Sequence, residues 1–138
     1  MITFSRSQVI RAEFLDDNTV CFNGIQEDHI YSMEVQIEVR ISDGEILTVK
    51  GDMKRYTNFV CPQAIPVLQT AVGLSLLEEG WDKKVMREIG RKGCEHFAEV
   101  IIECGRCLKK AILSKSLHDA LAKDPALDQE KFLLKMSA

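Results

Sequence analysis

Met33-Glu34-Val35-Gln36-Ile37-Glu38-Val39-Arg40 sets four apolar side chains alternately against four polar ones. A period of two puts all the apolar groups on one face of a strand, so this segment reads as part of a sheet with one face on a core and the other in water. Upstream, Gln8 to Leu15 alternates Val9, Arg11 and Glu13 with Ile10, Ala12 and Phe14, and Thr19 to Ile25 carries Val20, Phe22 and Ile25. Asp16-Asp17-Asn18 supplies turn residues between them and predicts a hairpin. Downstream, Ser42-Asp43-Gly44 is a second turn, after which Glu45 to Met53 returns with Ile46, Thr48 and Val49. Short polar breaks between such runs predict an antiparallel sheet of three or four strands.

The period changes at Cys61. Pro62 suits the first turn of a helix, and Ala64, Ile65, Leu68, Ala71 and Val72 form a helical stripe that Gly73 ends. Ser75-Leu76-Leu77-Glu78 has the form of a capping box and predicts a second helix starting there, continued by Trp81 to Ile89. Gly90 to Gly93 reads as a flexible basic break. From Cys94 to about Leu113 a long helix is predicted by Phe97, Ile101, Cys104, Leu108 and Ile112, its apolar face packed on the sheet. Beyond Ser116 the pattern weakens, Pro125 interrupts it, and Leu127, Phe132, Leu133 and Met136 predict a last amphipathic helix. Strands first and helices afterwards is an α+β layer fold. The chain reads as a single domain over 1–138, with strands mainly in 1–60, helices in 61–115 and a helical tail in 116–138.

Composition narrows the function classes. The 138 residues carry 18 Lys+Arg against 21 Asp+Glu, a formal charge of −3, so nothing pulls the chain toward nucleic-acid phosphates or an anionic membrane. Charges interrupt every apolar run well short of the roughly 20 residues that span a bilayer. Five cysteines cannot all pair within one chain, and no leader-like segment opens the sequence, so the thiols are expected reduced and the protein cytoplasmic. No glycine-rich phosphate loop, Gly-x-Ser-x-Gly elbow or His-Glu-x-x-His pair occurs.

Chemistry is expected where reactive side chains fall at the ends of elements. Cys61 and Cys94 each open a predicted helix, where the positive end of the helix dipole favours thiolate. His29 lies in the polar break before the best strand, and His96 follows Cys94 by two residues. His29, Cys61, Cys94 and His96 together make a two-nitrogen, two-sulfur donor set suited to zinc or an iron–sulfur cluster if the fold gathers them. Each of them also has a plainer reading, as a small core thiol or a solvated imidazole. Cys104-Gly105-Arg106-Cys107 falls within the predicted long helix rather than at a strand-to-helix junction, so these two thiols, like Cys21 inside its strand, read as packing residues. Lys83-Lys84 and Lys109-Lys110 read as solvated helix faces, and Arg91-Lys92 either as surface charge or as an aid to a thiolate at Cys94.

Two resemblances follow from these residues. Cys61-Pro62, Gly73-Leu74, Gly80-Trp81 and Gly93-Cys94-Glu95-His96-Phe97, with Arg6 and Arg11 ahead of the strands, resemble the bacterial domain-of-unknown-function 2889 family over most of residues 5 to 112. More distantly, the order of features resembles the iron–sulfur cluster scaffolds typified by IscU and the amino-terminal domain of NifU, over roughly 27 to 113. In that comparison Met33 to Val39 resembles the alternating strand, Cys61 the second cysteine, Gly73-Leu74-Ser75-Leu76 the turn and Cys94 the third cysteine. His29 stands about where the first cysteine would be, and Tyr31 where an aspartate is expected. The Leu-Pro-Pro-Val-Lys segment read by the family's chaperone is missing.

Three functions stand as expectations. The first is a metal- or iron–sulfur-binding protein of scaffold-like fold with His29, Cys61, Cys94 and His96 as ligands. The second is a thiol-dependent enzyme with Cys61 or Cys94 as nucleophile and His96 or His29 as base, acting on a thioester, persulfide or related acyl group. The third is a metal-free interaction module. Protein partners or a homo-oligomer are expected through the C-terminal helix, with no nucleic-acid or membrane partner.

Overall fold

The computed structural model describes residues 1–137. Four strands, β1 (Arg6–Asp16), β2 (Thr19–Asp28), β3 (Ser32–Arg40) and β4 (Ile46–Arg55), form one sheet in the order β1-β2-β3-β4. Every neighbouring pair is antiparallel, as the short turns require. A 3₁₀ helix (Cys61–Ala71) follows, then α1 (Trp81–Val85), a π turn (Met86–Arg91), α2 (Glu95–Arg106), α3 (Leu108–Lys123) and α4 (Gln129–Ser137). The architecture is therefore the α+β arrangement read from the periodicity, with all four strands present. The chain divides into two compact units, Met1–Gly105 and Arg106–Ala138. None of its helices, among the described residues, is long and apolar enough to cross a membrane.

In the first unit the alternation of β3 is honoured: Met33, Val35, Ile37 and Val39 are all buried. Their partners on the same face include Val20 and Phe22 of β2 and Ile46, Val49 and Met53 of β4. One cross-sheet row, Gly24–Val35–Gly51, has a glycine on either side of the valine. A Cβ at Gly24 would fall 2.6 Å from Val100 Cγ1, and one at Gly51 would fall 2.3 Å from Leu68 Cδ1 and 3.2 Å from Phe97 Cε1. The two glycines thus form a trough that seats α2 and the 3₁₀ helix against the sheet. Phe97, Val100, Ile101 and Cys104 of α2 are fully buried there.

Several helical expectations are corrected. The segment opened by Pro62 is 3₁₀ rather than α, because Pro66 lacks an N–H and its ring opposes the carbonyl four residues back, at Pro62. No helix starts at Ser75. Instead Ser75 bridges Glu45, the Leu76 amide donates to the Gly44 carbonyl, and the Ile46 amide donates to the Leu74 carbonyl, so 73–76 lies along the start of β4. Helix begins at Trp81, after Gly80 turns the chain at φ 79°. The break expected at Gly90 to Gly93 is in part the π turn, with Ile89 and Gly90 buried. The long helix from Cys94 is two helices, α2 and α3, with Cys107 as the N-cap of the second. Gly105 lies just before the division, where the Trp81 ring occupies the space of a Cβ at 2.4 Å.

Candidate functional site

The site candidates lie in the first unit, around the turn between β2 and β3. Asp28 closes β2 with its side chain out of solvent. One carboxylate oxygen accepts from the Ile30 and Tyr31 amides, each at 2.7 Å, and the other accepts from Arg6 Nε at 3.0 Å. Burial alone would raise the Asp28 pKa, but the two amides and the Arg6 guanidinium outweigh it and hold the carboxyl below its ordinary value. Arg55, at the end of β4, donates to the carbonyls of Asp28 and Tyr31 and to the Glu27 carboxylate. Glu27 also accepts from the Ser32 hydroxyl at 2.6 Å, and that bond first, then Arg55, lowers its pKa. Two arginines and two carboxylates thereby fix the loop that carries His29, Ile30 and Tyr31.

Tyr31 connects this loop to α2. Its ring lies 4.2 Å, centroid to centroid, from the imidazole of His96, with the planes tilted by 37°. His96 Nδ1 is in turn 3.9 Å from Cys94 Sγ, and both residues are half-buried. The approach to Cys94 is set by the π turn, whose wider winding lets the Cys94 amide donate to the Ile89 carbonyl at 2.9 Å. Gly93, just ahead, is tightly surrounded: a Cβ there would meet that same carbonyl at 3.0 Å and Val67 at 3.1 Å. Cys94 therefore stands immediately before α2, beside an imidazole backed by a tyrosine ring.

Cys61 is activated separately. It opens the 3₁₀ helix half-buried, with Thr57 Oγ1 at 3.6 Å from its sulfur and Asn58 Oδ1 at 3.9 Å. Hydrogen bonding from the Thr57 hydroxyl, supported by the amides of Asn58 and Thr57, lowers the thiol pKa despite partial burial. His29 is exposed, its ring 6.1 Å from that of Phe4 and edge-on to it.

Of the four expected ligands, then, Cys94 and His96 are brought together. Cys61 sits in its own Thr57–Asn58 turn and His29 beside Phe4. Among the described residues no group of three or more His, Cys, Asp or Glu side chains could hold a metal ion. The packing role expected of Cys21 and Cys104 agrees with their burial, whereas Cys107 is half-buried at the head of α3. Tyr31, Asp28, Arg55 and Thr57 went unread as site residues. Asp28, two and three residues ahead of the Ile30 and Tyr31 amides it accepts from, carries an Asx-turn signal that could have been found; the Tyr31–His96 contact spans 65 positions and has no local signal.

No curated protein and no solved structure matches the chain. The expected likeness to the iron–sulfur scaffolds is therefore not confirmed, although the four-stranded sheet and following helices are compatible with it. A family model described as protein of unknown function (DUF2889) matches residues 6–109, from β1 to the start of α3. With most of its length so matched, the chain belongs to the DUF2889 family.

Proposed function

We propose that the chain is a thiol-dependent protein acting on a thioester or related sulfur- or acyl-centred electrophile, with Cys94 as nucleophile and His96 as its base. The observation that carries the reading is the 3.9 Å approach of Cys94 Sγ to His96 Nδ1 at the head of a 12-residue helix. A neutral imidazole at that distance takes the thiol proton as the sulfur attacks, and the first-turn amides of α2, which have no partner within the helix, face developing negative charge. In acyl transfer the new bond joins Cys94 Sγ to the carbonyl carbon. The bond to the original sulfur breaks, and the departing thiolate takes the proton held by His96. Tyr31 and the Asp28 loop keep the imidazole in place.

A second reading keeps the same pair as donors to zinc or an iron–sulfur cluster, with Cys61 and His29 as the further ligands. A cysteine sulfur and an imidazole side by side favour it. Against it stands the absence, among the described residues, of a third ligating side chain grouped with them.

Site-resolved alkylation separates the readings. Iodoacetamide followed by peptide mass spectrometry should modify Cys94 and Cys61 ahead of buried Cys21 and Cys104. His96→Ala should slow Cys94 by about tenfold or more, and Thr57→Val should slow Cys61 alone. Slow, uniform modification of all five thiols would exclude nucleophilic thiol chemistry. Zinc or visible absorption retained after anaerobic reconstitution, and lost in both Cys94→Ser and His96→Ala, would favour the metal reading.

A further inference from the structure

The two edges of the sheet are treated differently. Beside β4, the Val49 carbonyl accepts from Gln69 Nε2 at 2.8 Å, and Ile46 exchanges hydrogen bonds with Gly73 and Leu74, so the first half of that edge is occupied. β1 pairs with β2 on one side, and no other strand among the described residues pairs with its outer side. It is nonetheless an 11-residue strand containing Val9, Ile10, Phe14 and Leu15, with Val9 49% and Leu15 50% exposed. A long apolar edge of this kind is a template for another strand.

We propose that β1 is the interface through which two copies of this chain associate, the strands antiparallel about a two-fold axis beside Ala12. The register follows from side-chain direction and charge. Ile10, Ala12 and Phe14 share the face of the sheet that packs on α2, where Ile10 Cδ1 lies 3.3 Å from the Cβ position of Gly24. Val9, Arg11 and Glu13 share the outer face with Cys21, Asn23 and Ile25. A two-fold between residues would join the apolar face of one copy to the polar face of the other. A two-fold at Arg11 sets Arg11 against Arg11, and one at Glu13 sets Glu13 against Glu13. At Ala12, Arg11 of each copy lies opposite Glu13 of the other, Ile10 opposite Phe14, and Val9 opposite Leu15. Neither Arg11 nor Glu13 has an ion-pair partner among the described residues, so both are available for these cross-strand pairs. The β-bulge between Phe14 and Asp16 falls at Leu15, so the regular edge ends with the outermost Val9–Leu15 pair. A seven-residue edge pairing buries less than the roughly 1,200 Å² of a standard interface, so the dimer is weak and reversible.

Sedimentation equilibrium of the full chain from micromolar to millimolar concentration tests this. The wild-type chain should form a reversible dimer, and Arg11→Glu or Glu13→Arg alone should weaken it by roughly tenfold or more. The double variant Arg11→Glu/Glu13→Arg, which exchanges the charges, should restore it. In the wild-type chain, amide exchange of residues 9–15 should also slow as concentration rises, a readout independent of any variant. A monomer throughout, a dimer indifferent to both single reversals, or a dimer that leaves the β1 amides unprotected would overturn the proposal.

Discussion

The side chain of Asp28 is shut off from solvent, and its carboxylate accepts two hydrogen bonds from the Ile30 and Tyr31 amides of the loop and one from Arg6 of β1. Replacing it by Ala leaves two amides and a guanidinium without their acceptor, which should destabilise the first unit by about 1–3 kcal/mol. The same carboxylate makes stability depend on pH. Its folded pKa is lowered, so its contribution is present above the unfolded aspartate value of about 3.9 and is lost as pH falls through the lower folded value. Urea unfolding as a function of pH should show this acid loss in the wild-type chain and a reduced one in Asp28→Asn. An equal acid loss in the two chains would assign the effect to other carboxylates. At this scale the sequence was only partly legible. Cys94 and His96 are two positions apart and their meeting could be anticipated, but the stacking of His96 on Tyr31 depends on how α2 crosses the sheet.

Among the elements, the seat of α2 sets the position of the candidate site. The Gly24–Val35–Gly51 row brings Val100 over β2 and Phe97 over β4, which directs the head of the helix to the β2–β3 turn. Gly24→Ala would press a Cβ onto Val100, Cys104 and Ile10 together, at 2.6, 3.0 and 3.3 Å. Because a valine is stiff about its first side-chain torsion, the overlap cannot be relieved by rotation alone. The expected cost is about 1–3 kcal/mol, read as a lower urea midpoint with unchanged slope; an unchanged midpoint would mean that the trough is loosely packed. Strand positions were legible because alternation is a local property. Helix types were less so. Pro66 turned an expected α-helix into a 3₁₀ helix, and an apparent capping box at Ser75 was taken up by backbone bonds to Gly44 and Ile46, partners some 30 residues away. The single stripe running from Cys94 past Leu108 hid the division at Cys107, since the apolar spacing continues across it.

Across the whole molecule, burial is uneven. β2, β3 and α2 hold most of the fully buried side chains, whereas β1 is almost entirely exposed and α4 has no buried residue. Amide exchange at low concentration should therefore be slowest in β2, β3 and α2 and fast in α4 and along the outer side of β1. Protection of α4 equal to that of β3 would contradict this ranking. What the sequence determined by itself is the order and pairing of the strands, because alternating faces and short turns act between neighbours and leave an antiparallel sheet as the only close arrangement. It also marked Cys61 and Cys94 as thiols at the heads of helices. Which of these reactive groups meet was decided by tertiary structure. The four donors expected to gather are divided among three local environments, and Cys94 alone has an imidazole beside it. The reason is physical: contacts across tens of residues follow from how side chains fill the trough between sheet and helix, and that packing depends on shape rather than on any period in the chain.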